Sequence, residues 1–176
     1  MSNIQCIHRY SARNIIERYI FSKDSNKPCL MELLFSENAT LLMKVKSDAV
    51  DFPSLTSGSD NIAGVLARQF GAKYDNVYTF CDPVPEMEYP SSHHCNWWVF
   101  MTNKKTGSIL GGQGLYDWRF SPITGQADSL NITIDNMDIL PEVRCRDLYP
   151  VLVKEPYPWN SNFALALEGG IPKWLL

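Results

Sequence analysis

At 176 residues the chain is sized for one domain and can bury roughly two thirds of its unfolded surface. Hydrophobic residues make up 45% and charged residues 20%, which excludes a largely disordered chain. With 19 acidic and 16 basic side chains, the net charge of -3 offers no basic stripe for nucleic acid and no general attraction to anionic membranes.

The first periodic signal is Ala12, Ile15, Ile16, Tyr19 and Ile20, spaced to share one helical face, with Ser11 placed as N-cap. Ser22-Lys23-Asp24-Ser25-Asn26 reads as a turn. A second helix is expected from Pro28, whose missing amide proton is harmless in a first turn, with Leu30, Leu33 and Leu34 as its buried face. Thr40 to Val45 alternates as a strand, and Asp48 to Phe52 is a candidate to pair with it. Ser59 and Asp60 open a third helix whose apolar face is Ile62, Val65, Leu66 and Phe70.

The remainder reads as sheet. Tyr74 to Cys81 is a strand. In Asn96 to Thr102 the rows Trp97-Val99-Met101 and Trp98-Phe100 are both apolar, so that strand is expected to be covered on both faces. A long strand follows from Ser108 to Phe120, where Gly111, Gly112 and Gly114 are expected to bend or bulge the sheet. Leu130, Ile132 and Ile134 mark one more half-buried strand. From Asn136 onward prolines interrupt the pattern, yet Tyr149, Tyr157, Trp159, Phe163, Leu165 and Leu167 argue for a tail that packs.

No apolar run approaches the roughly 20 residues that span a bilayer. Met1 to Cys6 lacks the basic start and apolar core of a secretory signal, so a cytoplasmic location is expected. The five cysteines are widely spaced and read as reduced, with no pair suggesting zinc or redox chemistry.

The order of two helices, a short strand region, a third helix and long antiparallel strands resembles the NTF2-like superfamily, in its SnoaL-like and ketosteroid-isomerase-like branches. The segments that bear the resemblance are Ile16-Glu17-Arg18-Tyr19-Ile20, Leu34-Phe35-Ser36-Glu37-Asn38-Ala39-Thr40 and Ser57-Gly58-Ser59-Asp60-Asn61-Ile62. The implied fold is α+β: a cone with a strongly curved, mostly antiparallel sheet packed against N-terminal helices. Residues 1–138 would form the core domain. Residues 139–176 would form an irregular extension on the same domain or on a partner subunit.

The resemblance implies a tapered pocket for an apolar small molecule and a homodimer. Tyr19 matches the first-helix tyrosine that helps stabilise an oxyanion in ketosteroid isomerases, although packing in one stripe with Ile16 and Ile20, its hydroxyl satisfied at the rim, is the favoured reading of the residue itself. The position of the isomerase base falls near Met43 or Lys44, where no carboxylate stands, and Met43 can only shape an apolar wall. Asp117 is the best remaining carboxylate; if it points inward it can exchange a proton, and if outward it joins Arg119 on a charged row. His93 and His94 are acid-base candidates at the pocket mouth, but adjacent residues of an extended chain point apart. Trp97, Trp98, Phe100, Tyr116 and Trp118 are candidate substrate contacts.

The expected function is therefore a lyase, isomerase or cyclase for a cyclic or conjugated apolar substrate, polyketide-like compounds among them. It would work by acid/base chemistry with no metal or redox cofactor, Tyr19, Asp117, His93 and His94 being the catalytic candidates. The alternative is a non-catalytic small-ligand-binding or protein-interaction domain, favoured by the missing carboxylate at Met43.

Overall fold

The computed structural model describes residues 9–86 and 89–160, together with the backbone of 167–168 and 171–172. Cys6, His8, Phe163 and Leu165 and the side chain of Leu167 lie outside the described residues.

Helix α1 (Ala12–Asp24) starts at Ser11, whose hydroxyl accepts from the Asn14 amide at 3.2 Å. Its stripe of Ala12, Ile15, Ile16, Tyr19 and Ile20 is buried as the spacing predicts, and the stripe continues through Lys23. Helix α2 (Pro28–Leu34) begins on Pro28 and leads directly into strand β1 (Phe35–Val45). Asp48 to Phe52 forms no strand; the partner of β1 is the short β2 (Leu55–Ser57). The third helical region is α3 (Ser59–Ala63), a π-helical stretch from Gly64 to Gln69, and α4 (Phe70–Lys73).

Strands β3 (Tyr74–Cys81), β4 (Ser92–Asn103), β5 (Ile109–Phe120) and β6 (Ala127–Ile139) complete a six-stranded sheet of order β2-β1-β6-β5-β4-β3. Pairing of β1 with β6 is parallel and the other four pairings are antiparallel, so the sheet is mixed. The expectation of a strongly curved cone is overturned. This sheet is open, ending at β2 on one side and β3 on the other, and is not strongly curled or closed.

The glycines of β5 explain the difference. They admit close neighbours rather than a sharp bend. A Cβ on Gly114 would lie 2.7 Å from the Trp97 ring and collide with the Thr133 carbonyl, at a bulge against β6. One on Gly111 would stand 3.0 Å from Leu140.

The register fixes which side chains share a face. Cys95 lies opposite Tyr116 and His94 opposite Asp117. On the inner face, Trp97, Val99, Met101, Tyr116, Trp118 and Phe120 join the main core under α1. On the outer face, Trp98 and Phe100 join Phe80, Ile109, Leu140, Leu148 and Leu152 in a second, separate cluster. Its cover is α5 (Cys145–Leu152), a helix within the proline-rich tail. Beyond it, Trp159 runs parallel to Cys81 at the β3 edge, and the chain also forms a two-stranded hairpin, β7 (Leu167–Glu168) and β8 (Ile171–Pro172).

Candidate functional site

Between α1, the π-helical stretch and the inner face of the sheet lies a cavity. It is walled by Tyr19 and Lys23 from α1, Leu66 and Phe70 from the third helical region, and Trp97 and Tyr116 from the sheet, with Met43, Met101 and Met137 among the remaining contacts. The free space is about 40 Å³, room for about three water molecules. Three methionines in one wall make its shape adaptable, since an unbranched thioether re-packs at little cost.

Aromatic packing sets the deep end. The Tyr19 ring meets Tyr116 and Trp118 edge-on at 5.4 and 5.0 Å, and Trp97 stacks on Tyr116 at 5.5 Å. Burial pushes the Tyr19 and Tyr116 phenols well above the ordinary range, so both are neutral donors. The Tyr19 hydroxyl lies toward that of Tyr116 without a well-formed hydrogen bond, and the buried indole N–H of Trp97 has no partner.

The other end holds an ion pair that is almost fully buried. Lys23 and Asp24 side chains are 6% and 4% exposed, with Nζ and Oδ1 2.5 Å apart. Lys23 Nζ also donates to Thr79 Oγ1 at 2.7 Å and stands 4.8 Å over the Phe70 ring. Thr79 closes a ring of hydrogen bonds: its hydroxyl donates to Asp24 Oδ1 at 2.8 Å and its amide to Oδ2 at 2.7 Å. From the tail, the Tyr157 hydroxyl donates to the same Oδ2 at 2.9 Å. Asp24 therefore fixes Lys23, α1, β3 and the tail together.

This pair is what sequence reasoning missed, because Lys23 and Asp24 resemble turn residues. A signal was available. Lys23 is four residues after Tyr19 and seven after Ile16, so the α1 stripe extended by one step places a lysine at a core position.

The expected site residues are divided by the sheet. Tyr19, Met43, Trp97 and Tyr116 line the cavity, and Trp118 backs Tyr19. Trp98 and Phe100 lie on the opposite face beneath α5. Asp117 and His94 pair on that outer face too, 3.4 Å apart, with His94 largely exposed. His93 projects from the inner row and interacts with Cys95, whose thiol is lowered to about 7, first by a hydrogen bond with Cys81 and then by His93. The Cys81 thiol is pushed up by the same bond and by burial. Among the described residues no cluster of His, Cys, Asp and Glu is arranged to hold a metal ion. No helix among them is long and apolar enough to cross a membrane.

No family profile and no curated protein matches the chain. Solved structures do. A hexachlorocyclohexane dehydrochlorinase (LinA, type 2) superposes with a TM-score of 0.60 at 7% identity, over 74% of this chain and 86% of that one. The epoxide hydrolase/cyclase-like enzyme SalBIII, of pyran ring formation in the polyether salinomycin, gives 0.54 at 15% identity over 72% and 93%. An NTF2-like protein of unknown function from Exiguobacterium sp. 255-15 gives 0.52 at 19% identity over 69% and 98%. The fold is that of the NTF2-like superfamily. At these identities the likeness concerns the fold alone, which hosts unrelated activities.

Proposed function

We propose that the chain is a small-molecule enzyme of the lyase, isomerase or cyclase kind, working in the cavity under α1 by acid/base chemistry without a redox cofactor. One observation bears the reading: the Lys23–Asp24 pair is buried at the end of an otherwise apolar cavity. A buried ion pair contributes little to stability compared with apolar side chains of the same volume, so its placement in a cleft points to chemistry. The enzymes of similar fold are consistent with it.

The roles follow from the contacts. Lys23 places a positive charge and a transferable proton at the cavity wall, where an oxyanion developing on a substrate would be stabilised in a low dielectric. Asp24 and Thr79 hold that ammonium in place at the wall through their closed ring of hydrogen bonds. Tyr19 and Tyr116 supply neutral donors at the deep end. Asp117 and His94 face away from this space and have no role in the step.

A second reading, ligand binding without turnover, is favoured by the cavity itself. Its 40 Å³ is far below the roughly 300 Å³ of a drug-sized pocket, so a ligand must displace methionine side chains to enter. Turnover assays with cyclic ketones, small epoxides and polyketide-like compounds separate the two. Activity that falls about a hundredfold in Lys23→Met and in Tyr19→Phe supports the enzyme. Full activity in both variants removes the proposed machinery. Binding without turnover by any of these compounds moves the chain to the second reading. The homodimer expected from the resemblance would use the part of the outer face that α5 leaves bare, around His94, Asp117 and Arg119; sedimentation of Arg119→Glu beside the native chain tests it.

A further inference from the structure

We infer that the cavity selects small, single-ring, electrically neutral ligands that present a hydrogen-bond acceptor, a carbonyl or an equivalent oxygen, to Lys23 and Trp97. The inference rests on the proposed small-molecule function and narrows its substrate class.

The polar groups at the wall are unbalanced. Trp97 Nε1 is buried, can only donate, and has no acceptor. Lys23 Nζ has three N–H groups: Asp24 and Thr79 take two, and only the face of Phe70 answers the third. The Tyr19 hydroxyl lacks a well-formed bond. Against these donors the carboxylate and threonine oxygens are already engaged, and the only side-chain oxygens left at the wall, among the described residues, are those of the Tyr19 and Tyr116 phenols. Asp24 Oδ1 accepts from Lys23 and Thr79, and Oδ2 from the Thr79 amide and Tyr157. Thr79 Oγ1 already accepts from Lys23. A buried donor without a partner is unfavourable, and a ligand oxygen that supplies the partner gains what the free protein lacks.

Charge narrows the class. Lys23 is already balanced by Asp24, so an anionic ligand would leave one negative charge uncompensated in an apolar space, while an amine would bring a cation against Lys23. Volume narrows it again. About 40 Å³ is free, so a ligand needs Met43, Met101 and Met137 to move aside, and the small starting volume favours one ring over several fused rings.

Isothermal calorimetry of the full chain with toluene, acetophenone, benzoate and benzylamine tests this. Acetophenone is expected to bind about tenfold more tightly than each of the other three. Trp97→Phe and Lys23→Met are expected to reduce its advantage over toluene, read as the ratio of the two affinities within each variant, to within about threefold. Should Lys23→Met fail to fold, Trp97→Phe alone decides, because it removes the N–H and keeps an aromatic ring. Equal binding of toluene and acetophenone, or tighter binding of benzoate or benzylamine, overturns the inference and leaves the small-molecule function standing. An acetophenone preference that survives Trp97→Phe overturns it equally. No binding by any of the four overturns both.

Discussion

The two faces of the sheet are built from the same strands and similar residues, yet they do different things. Strand β4 sends Trp97 inward and Trp98 outward, and β5 sends Tyr116 and Trp118 inward between outward-facing Leu115, Asp117 and Arg119. The outer cluster of Phe80, Trp98 and Phe100 is sealed by Leu148 and Leu152 of α5. The inner face keeps a cavity with donors that lack partners and a charged pair at one end. Aromatic content therefore does not mark the site. Residual space with a buried charged pair at its end does.

The largest expected effect lies at the charged end. Asp24→Ala leaves Lys23 buried without its counter-ion and should lower unfolding free energy by about 3–5 kcal/mol in urea titrations. The double variant Lys23→Met/Asp24→Leu removes the unpaired charge and should recover part of that loss, since Thr79 and Tyr157 still lose their acceptor. Its turnover should fall at least as far as in Lys23→Met. No recovery would show that the hydrogen bonds lost with Asp24, and not the unpaired charge, set the cost. On the opposite face, Leu148→Ala should cost about 3 kcal/mol by the same measurement, since this side chain is fully buried. Per remaining folded molecule, ligand affinity should not change. A change there would mean that the two faces are not independent.

Much of this arrangement can be read from the chain, and the unread part has identifiable causes. The α1 stripe, the Pro28 helix start and the doubly covered β4 follow from periodicity, because burial on one or two faces imprints the 3.6 and 2 repeats directly. Which of two apolar rows faces the cavity does not follow: Trp97 and Trp98 are equivalent to any local rule, and only α1 and α5 distinguish them. Helix α5 was hidden by Pro150, which sits within it at a point where eight residues offer few backbone bonds to lose. Gly111, Gly112 and Gly114 announce unusual backbone, but close approach and curvature leave the same glycine signature. Lys23 was obscured by its neighbours. Ser22, Asp24 and Ser25 look like a turn, whereas Thr79, which completes the hydrogen bonds of the buried pair, is distant in sequence.

The phenols allow the inner face to be probed by pH. Burial raises Tyr19 and Tyr116 far above the usual phenol value, and burial with the Asp24 charge does the same for Tyr157. These groups ionise near 10 in the unfolded chain and stay protonated when folded, so the unfolded state binds fewer protons above that pH. Stability is therefore complete below about pH 10 and falls as pH rises further, by about 1.4 kcal/mol per pH unit for each of the buried Tyr19 and Tyr116 and by less for Tyr157, which is 41% exposed. Denaturation curves at pH 9 and pH 11 should show the drop, and Tyr19→Phe should make it shallower. An equal drop in Tyr19→Phe would place that phenol in contact with solvent. Tyr149, on the outer face, is raised only to about 12 and should weigh less.

The smallest expected effect concerns how the tail meets the site. Tyr157 reaches Asp24 from a segment that also borders β3, where the Cys81 amide donates to the Pro158 carbonyl and the Asn160 amide to that of Cys81. Tyr157→Phe removes one hydrogen bond to a carboxylate and keeps the ring packed against Tyr78 and Phe80. The stability change should be about 1–2 kcal/mol. Its consequence for the cavity should be clearer. With one fewer donor on Oδ2, Asp24 becomes a better acceptor and holds Lys23 more tightly, which strengthens the ion pair at the expense of any ligand oxygen competing for the same ammonium. Affinity for acetophenone should fall about twofold to threefold while affinity for toluene stays level. If both ligands lose affinity together, Tyr157 acts by closing the cavity. If neither does, the tail is tied to α1 without influence on the space beneath it.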